Sequence, residues 1–171
     1  FMLYAGQEFG ERGMDKEGFS GRDGRTTIFD YWCVDTLHRG YFNRRLLHKD
    51  EKMLEAAYKQ ILTLANSERA VSEGQFYDLM YVNRHIANRQ FAFLRKHERE
   101  TLLVVSNFDD RPIECDITIP RHAFDFLQIA EGTYTAVDLL TNSDLELSLK
   151  PDSAVSIDLP PLGGVVLKIS C

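Results

Sequence analysis

Residues 101–108, Thr-Leu-Leu-Val-Val-Ser-Asn-Phe, decide the fold. Thr101 to Val105 are apolar or β-branched, with no charge on either face, and follow the charged run 96–100. A short unbroken run of this kind between turn signals reads as a strand buried on both sides. Asp109-Asp110-Arg111-Pro112 ends it, because proline offers no amide to a ladder and aspartate favours turns. Just upstream, residues 90–95 alternate around Phe91 and Phe93, and residues 96–100 read as a polar hairpin loop. Two strands cannot bury that much apolar surface, so more sheet is required. The pattern supplies strands at 76–82, 113–119, 133–140, 145–149, 155–159 and 165–170, separated by turns at Asn142-Ser143-Asp144, Pro151-Asp152 and 160–164. Many short strands at this spacing point to an antiparallel β-sandwich.

The chain upstream of residue 76 has another character. The opening Phe-Met-Leu-Tyr-Ala run stops at Gly6 and reads as a core strand that delivers Gln7 and Glu8 to its C-terminal end. Polar groups at that end of a strand are where parallel α/β barrels keep substrate contacts, which singles out Tyr4, Gln7 and Glu8. Such a strand needs neighbours and none precede it, as expected of a piece of a larger domain. Residues 11–25, rich in glycine and charge, read as a long surface loop, and Ile28, Phe29, Tyr31 and Trp32 anchor its end. Residues 50–66 are the clearest helix, with Asp50 as N-cap. Met53, Leu54, Ala57, Tyr58, Ile61, Leu62 and Ala65 share one wide face of it.

Composition bounds the function. With 44% hydrophobic residues the chain's 171 residues hold a core rather than a disordered polymer. Twenty basic against 26 acidic residues leave −6, which argues against nucleic acid or an anionic membrane as a bulk partner. No run approaches the ~18 apolar residues of a membrane helix. Cys33, Cys115 and Cys171 form no CxxC and read as buried free thiols. The five histidines, His38, His48, His85, His97 and His122, form neither HxH nor HExxH and read as surface or turn residues. Gly18, Gly21 and Gly24 lack the preceding strand and following Gly-Lys-Ser/Thr of a phosphate cradle. Gly18-Phe19-Ser20-Gly21 has Arg22 where a nucleophile elbow needs glycine. Asp15, Glu17 and Asp23 miss the EF-hand spacing for calcium. The acidic balance turns Phe91, Phe93 and Phe108 from a base-stacking platform into expected sandwich core.

Taken in order, the Gly6-Gln7-Glu8-Phe9-Gly10 strand end, the long loop, the Ile28-Phe29-Asp30-Tyr31-Trp32 cluster, the helix with Ala70-Val71-Ser72-Glu73-Gly74 after it, and the Phe91-Ala92-Phe93-Leu94-Arg95 and 102–108 strand pair resemble the end of the α-amylase superfamily of glycoside hydrolases. In that family the eighth barrel strand ends in Tyr-Gly-x-Glu and glycine, although Ala5 departs from the aromatic pairing common there. The resemblance implies a mostly β fold with helices: a Greek-key β-sandwich of the α-amylase C-terminal type over residues 73–171, preceded over 1–72 by the last strand, loop and helix of an incomplete (β/α)8 TIM barrel. It implies a parent enzyme that cleaves α-glucans such as starch and maltodextrin by a retaining mechanism. The family's two catalytic carboxylates and its Asn-His-Asp lie on earlier barrel strands, so no catalytic residue is expected in this chain, which would be inactive alone. Tyr4, Gln7, Glu8 and Trp32 are the expected substrate-binding residues. The expected partners are the α-glucan, met through the whole enzyme, and the missing barrel, which the helix would join to the sandwich. No cofactor or metal is supported by these residues; calcium is left open for the whole enzyme. Gly-Gln-Glu-Phe-Gly is also similar to α-glucan branching enzymes, which keeps transfer open beside hydrolysis. A non-catalytic glycan-binding module using exposed sandwich aromatics, and a purely structural module, are the other readings. The compartment stays unassigned.

Overall fold

A computed structural model of the chain describes residues 2–3, 6–11 and 35–170. The chain divides into two compact units, Phe1–Thr63 and Leu64–Cys171. In the first, a 3-10 turn at Gln7–Phe9 is followed by α1 (Asp35–Leu37), which widens into a π-type coil over His38–Phe42, and by a second 3-10 turn at Arg44–Leu46. The helix α2 (Lys49–Ser67) starts here and ends in the second unit. It begins one residue before the expected Asp50 cap. The Glu51 carboxylate takes over that job, its Oε2 accepting the His48 backbone N–H at 2.9 Å. Asp50 stays in the first turn, where its charge opposes the helix dipole favourably. The apolar face of α2 is only partly covered: Met53 and Ile61 are 60% and 54% exposed. Neither Met2 nor Leu3 belongs to a sheet, and the rest of the expected opening strand lies outside the described residues. A strand buried on both sides forms only beside other strands, because its amides and carbonyls need a ladder.

The second unit opens with α3 (Arg69–Ser72) and continues with β1 (Gln75–Asp78), β2 (Gln90–His97), β3 (Glu100–Asn107), β4 (Ile113–Ile119), α4 (Arg121–Leu127), β5 (Gly132–Asp138), β6 (Ser143–Leu149), β7 (Ser153–Leu159) and β8 (Gly164–Ser170). One sheet has the order β1-β2-β3-β8-β5-β6, and β4 with β7 forms a second. All pairings are antiparallel. After β6 and β7 the chain returns as β8 to lie beside β5, the Greek-key connection expected of this sandwich. The core between the layers holds Leu94, Leu103, Val105, Ile117, Ile157 and Leu167, each at most 2% exposed.

The opening stretch explains its own lack of polarity. Leu103 and Val105 face the core, while Leu102, also fully buried, points to the other side of the sheet. That outer side is covered at this end by the segment around α3. Arg95, paired with Leu102, donates from Nε to the Ala70 carbonyl (2.8 Å) and from Nη2 to that of Val71 (2.6 Å). Glu100 accepts the Ala70 N–H at 3.0 Å, and Lys168 Nζ meets Glu68 at 2.5 Å.

Three expectations change, and one element is new. The phenylalanines Phe91 and Phe93 are not core: Ala92 and Leu94 take the inner face of β2, and Phe91 is 39% exposed. Phe108 is 67% exposed. Alternation identifies two faces without saying which is inside, and small Ala92 is what fits against Val105 across the strand pair. The hairpin loop 96–100 shrinks to Glu98-Arg99, because β2 and β3 pair out to His97 and Glu100. The strand 76–82 stops at Asp78, whose Oδ1 accepts the Met80 N–H at 2.8 Å and turns the chain. Helix α4 was not expected from the pattern: Ala123, Phe124 and Leu127 bury one face of a helix only seven residues long.

Candidate functional site

The Gly6–Gly10 stretch is built by its two glycines. Gly6 (φ 88°) and Gly10 (φ 73°) sit in the left-handed region on either side of the 3-10 turn. Gly6 O accepts the N–H groups of both Phe9 (3.0 Å) and Glu11 (2.9 Å), which closes the turn. Phe9, 3% exposed, anchors it. Its ring passes over Gly40, where an added Cβ would come within 2.3 Å, and meets Tyr41 edge-on at 5.6 Å.

With the turn fixed, its two polar side chains gain partners. Tyr41 Oη donates to Glu8 Oε1 at 2.5 Å, and Gln7 Nε2 donates to Tyr58 Oη at 2.8 Å. The bond to Glu8, with partial burial and the charges of Glu8 and Glu55, holds the Tyr41 phenol above its ordinary pKa, so it remains a donor. Behind the turn, Arg39 clamps Glu51 through Nη2 (2.5 Å) and Nε (3.2 Å to both oxygens). That guanidinium, aided by the His48 amide, brings the Glu51 pKa down to about 2. Arg44 donates from Nη2 alone to both oxygens of Glu55, at 2.8 and 2.6 Å.

The structure places two of the four expected binding residues, Gln7 and Glu8, side by side on one turn, each hydrogen-bonded to a tyrosine. Tyr4 and Trp32 lie outside the described residues. A carboxylate held this way can accept a sugar hydroxyl. Glycoside hydrolysis needs more: two carboxyl groups about 5–9.5 Å apart across the bond. Among the described residues no group of three or more His, Cys, Asp or Glu could hold a metal ion. Cys115 is buried and free, and burial pushes its thiol up.

The second unit holds a cleft that the sequence pattern did not single out. It opens at the edge of the six-stranded sheet, between β1 and α4, with a volume of about 400 Å³. Phe76, Tyr77, Asp78, Tyr81, His122 and Phe126 line it. Tyr77 Oη lies 2.6 Å from Tyr81 Oη and 2.8 Å from His122 Nδ1. Burial and the Tyr81 hydroxyl push the Tyr77 phenol far up, so it stays protonated. The one legible signal was His122 with Phe126, four residues apart and therefore on one face of a helix, but that helix was itself unexpected.

The family described as "Alpha amylase, C-terminal all-beta domain" matches residues 81–170, more than half of the chain. No curated protein matches. Among solved structures, a noncanonic maltogenic α-amylase, AmyB from Thermotoga neapolitana, is similar over 99% of this chain and 32% of its own, with a TM-score of 0.63 and 13% identity. AmyP in complex with maltotriose is similar over 98% of this chain and 31% of its own, with a TM-score of 0.61 and 20% identity. The chain thus spans about a third of the length of these structures, which at such identity speak for the fold alone. The family match and the sandwich topology agree, and the chain belongs to the α-amylase family, whose C-terminal all-β domain it carries.

Proposed function

We propose that this chain is the C-terminal part of an α-amylase-type glycoside hydrolase that acts on α-glucans such as starch and maltodextrin by a retaining double displacement. The family match over residues 81–170 is the observation that carries the reading. In this reading residues 1–72 complete a catalytic barrel and residues 73–171 form the sandwich attached to it. The two catalytic carboxylates belong to the rest of the barrel, and this chain alone is inactive. Gln7 and Glu8, with Tyr4 and Trp32, touch or position sugar. Their support is the turn between Gly6 and Gly10, which pre-orients an amide and a carboxylate before any substrate arrives.

The sandwich also carries a row of aromatic rings on its outer face. Phe91 and Phe93 lie 5.8 Å apart on the outer side of β2, and Phe76 meets Phe93 in a tilted contact at 5.4 Å. Exposed aromatics in one row on a sheet face mark an interaction surface rather than a solvated one.

The test replaces Glu8 by Gln in the complete protein and follows maltodextrin hydrolysis. Loss of the charge while the Tyr41 partner is kept is expected to lower kcat/KM by about 10- to 100-fold, with the melting temperature unchanged. Unaltered kinetics would remove Glu8 from the substrate site.

A further inference from the structure

We infer that the cleft between β1 and α4 is a binding subsite for a neutral sugar ring of an α-glucan chain. The α-glucan part of this assignment rests on the function proposed above; the sugar part rests on the cleft itself.

The rings come first. Phe76, Tyr81 and Phe126 are each 49% exposed, although all three are large apolar groups within one concavity. They are not loose. Phe126 packs on Tyr77 at 5.9 Å and on His122 at 6.2 Å with the two planes 27° apart, while Phe76 is backed by Phe93. Rings already held by ring neighbours bind a ligand with less ordering cost. A pyranose has an apolar face of C–H groups, slightly positive, which suits the negative face of an aromatic ring.

The polar groups then choose among ligands. Tyr81, Tyr77 and His122 form a hydrogen-bond chain whose two ends, Tyr81 and His122, both line the cleft. If Tyr81 donates to Tyr77 and Tyr77 to His122 Nδ1, the ends offer a Tyr81 acceptor and an Nε2–H donor. If the chain runs the other way, they offer a Tyr81 donor and an Nε2 acceptor. In both arrangements one donor and one acceptor remain, and a sugar hydroxyl can serve as partner to either. An apolar peptide side chain would cover these ends and leave them unpaired, at a cost.

Charge excludes the remaining candidates. The lining contains the Asp78 carboxylate and no lysine or arginine. A phosphate, a nucleic acid or an anionic lipid headgroup would meet a negative charge with nothing to neutralise it. A neutral polyhydroxylated ring meets an acceptor instead. The volume of about 400 Å³ sits near the small end of ligand sites, suited to one or two rings.

The test is a titration of the isotope-labelled 171-residue chain followed by amide NMR, with maltoheptaose as probe and β-linked cellohexaose as comparison. Saturable shifts confined to β1, the turn carrying Tyr81 and α4, with a Kd of about 0.1–10 mM, are expected for maltoheptaose. Tyr81→Ala and Phe126→Ala should each weaken binding by about tenfold or more, and Tyr81→Phe, which keeps the ring, by only about threefold. Should an alanine variant lose its dispersed spectrum, Tyr81→Phe and Phe126→Leu carry the test. No shifts at ~10 mM maltoheptaose, or shifts that the Tyr81 and Phe126 variants leave unchanged, would overturn the inference. Shifts at the cleft with cellohexaose alone would overturn its α-glucan part. Starch hydrolysis by the complete protein reports separately on the proposed function, so an active enzyme with a silent cleft sinks this inference alone.

Discussion

Asn83 shows how much one buried side chain can hold. It is fully buried, donates from Nδ2 to the carbonyls of Leu79 and Thr118 (both 2.9 Å), and accepts the Thr118 N–H at 2.8 Å. One amide thus ties the β1–β2 connection to β4 in the other sheet. Asn83→Ala leaves the N–H and carbonyl of Thr118 unpaired, while the Leu79 carbonyl keeps the backbone N–H of residue 83. It should cost about 2–4 kcal/mol in urea unfolding, whereas a loss below 1 kcal/mol would show that water replaces the amide. Glu51 makes a prediction about pH. Its folded pKa, about 2 against 4.5, is depressed by Arg39, so its stabilisation is complete above 4.5 and disappears as pH falls from 4.5 towards 2. Wild type should exceed Glu51→Gln by on the order of 2 kcal/mol at pH 7, and the two should converge near pH 2. A gap independent of pH would assign the effect to shape instead of charge. At this scale the sequence was legible where chemistry is local. Gly6 ended the apolar run and singled out Gln7 and Glu8 after it, but the turn was read as the end of a strand, and nothing local paired the two with Tyr58 and Tyr41, residues 51 and 33 positions away.

At the scale of elements, apolar runs, alternation and turn signals located all eight strands of the second unit, and residues 113–119 were placed end to end. Where it failed, a physical ambiguity was the cause. Arg121-His-Ala-Phe-Asp-Phe-Leu alternates around Phe124 and Phe126 much as a strand does, yet Pro120 before it and the Ala123, Phe124 and Leu127 face make it a helix. The alternation 90–95 carried no label for inside and outside, and the bulk of phenylalanine pointed the wrong way. The outward row is informative in its own right. Phe93→Asp should change the stability of the 171-residue chain by no more than about 1 kcal/mol, because the side chain is only partly buried there. In the complete protein the same change should cost about 2–4 kcal/mol, read as a lower melting temperature. Equal effects in both would mean that nothing docks on this face.

For the whole molecule, the two units are built differently. Strands of the second unit satisfy one another in two sheets, and no buried side-chain polar atom among the described residues lacks a partner. In the first unit α2 carries Met53 and Ile61 on its surface, and Met2 and Leu3 join no sheet. That contrast agrees with a chain spanning about a third of the α-amylase structures it resembles. The most direct measurement is the release of reducing sugar from starch by two samples, the 171-residue chain and the complete protein encoded by its gene. The complete protein should hydrolyse starch while the folded chain releases nothing above background. Starch breakdown by the chain alone, or a complete protein inert on every α-glucan, would contradict the account.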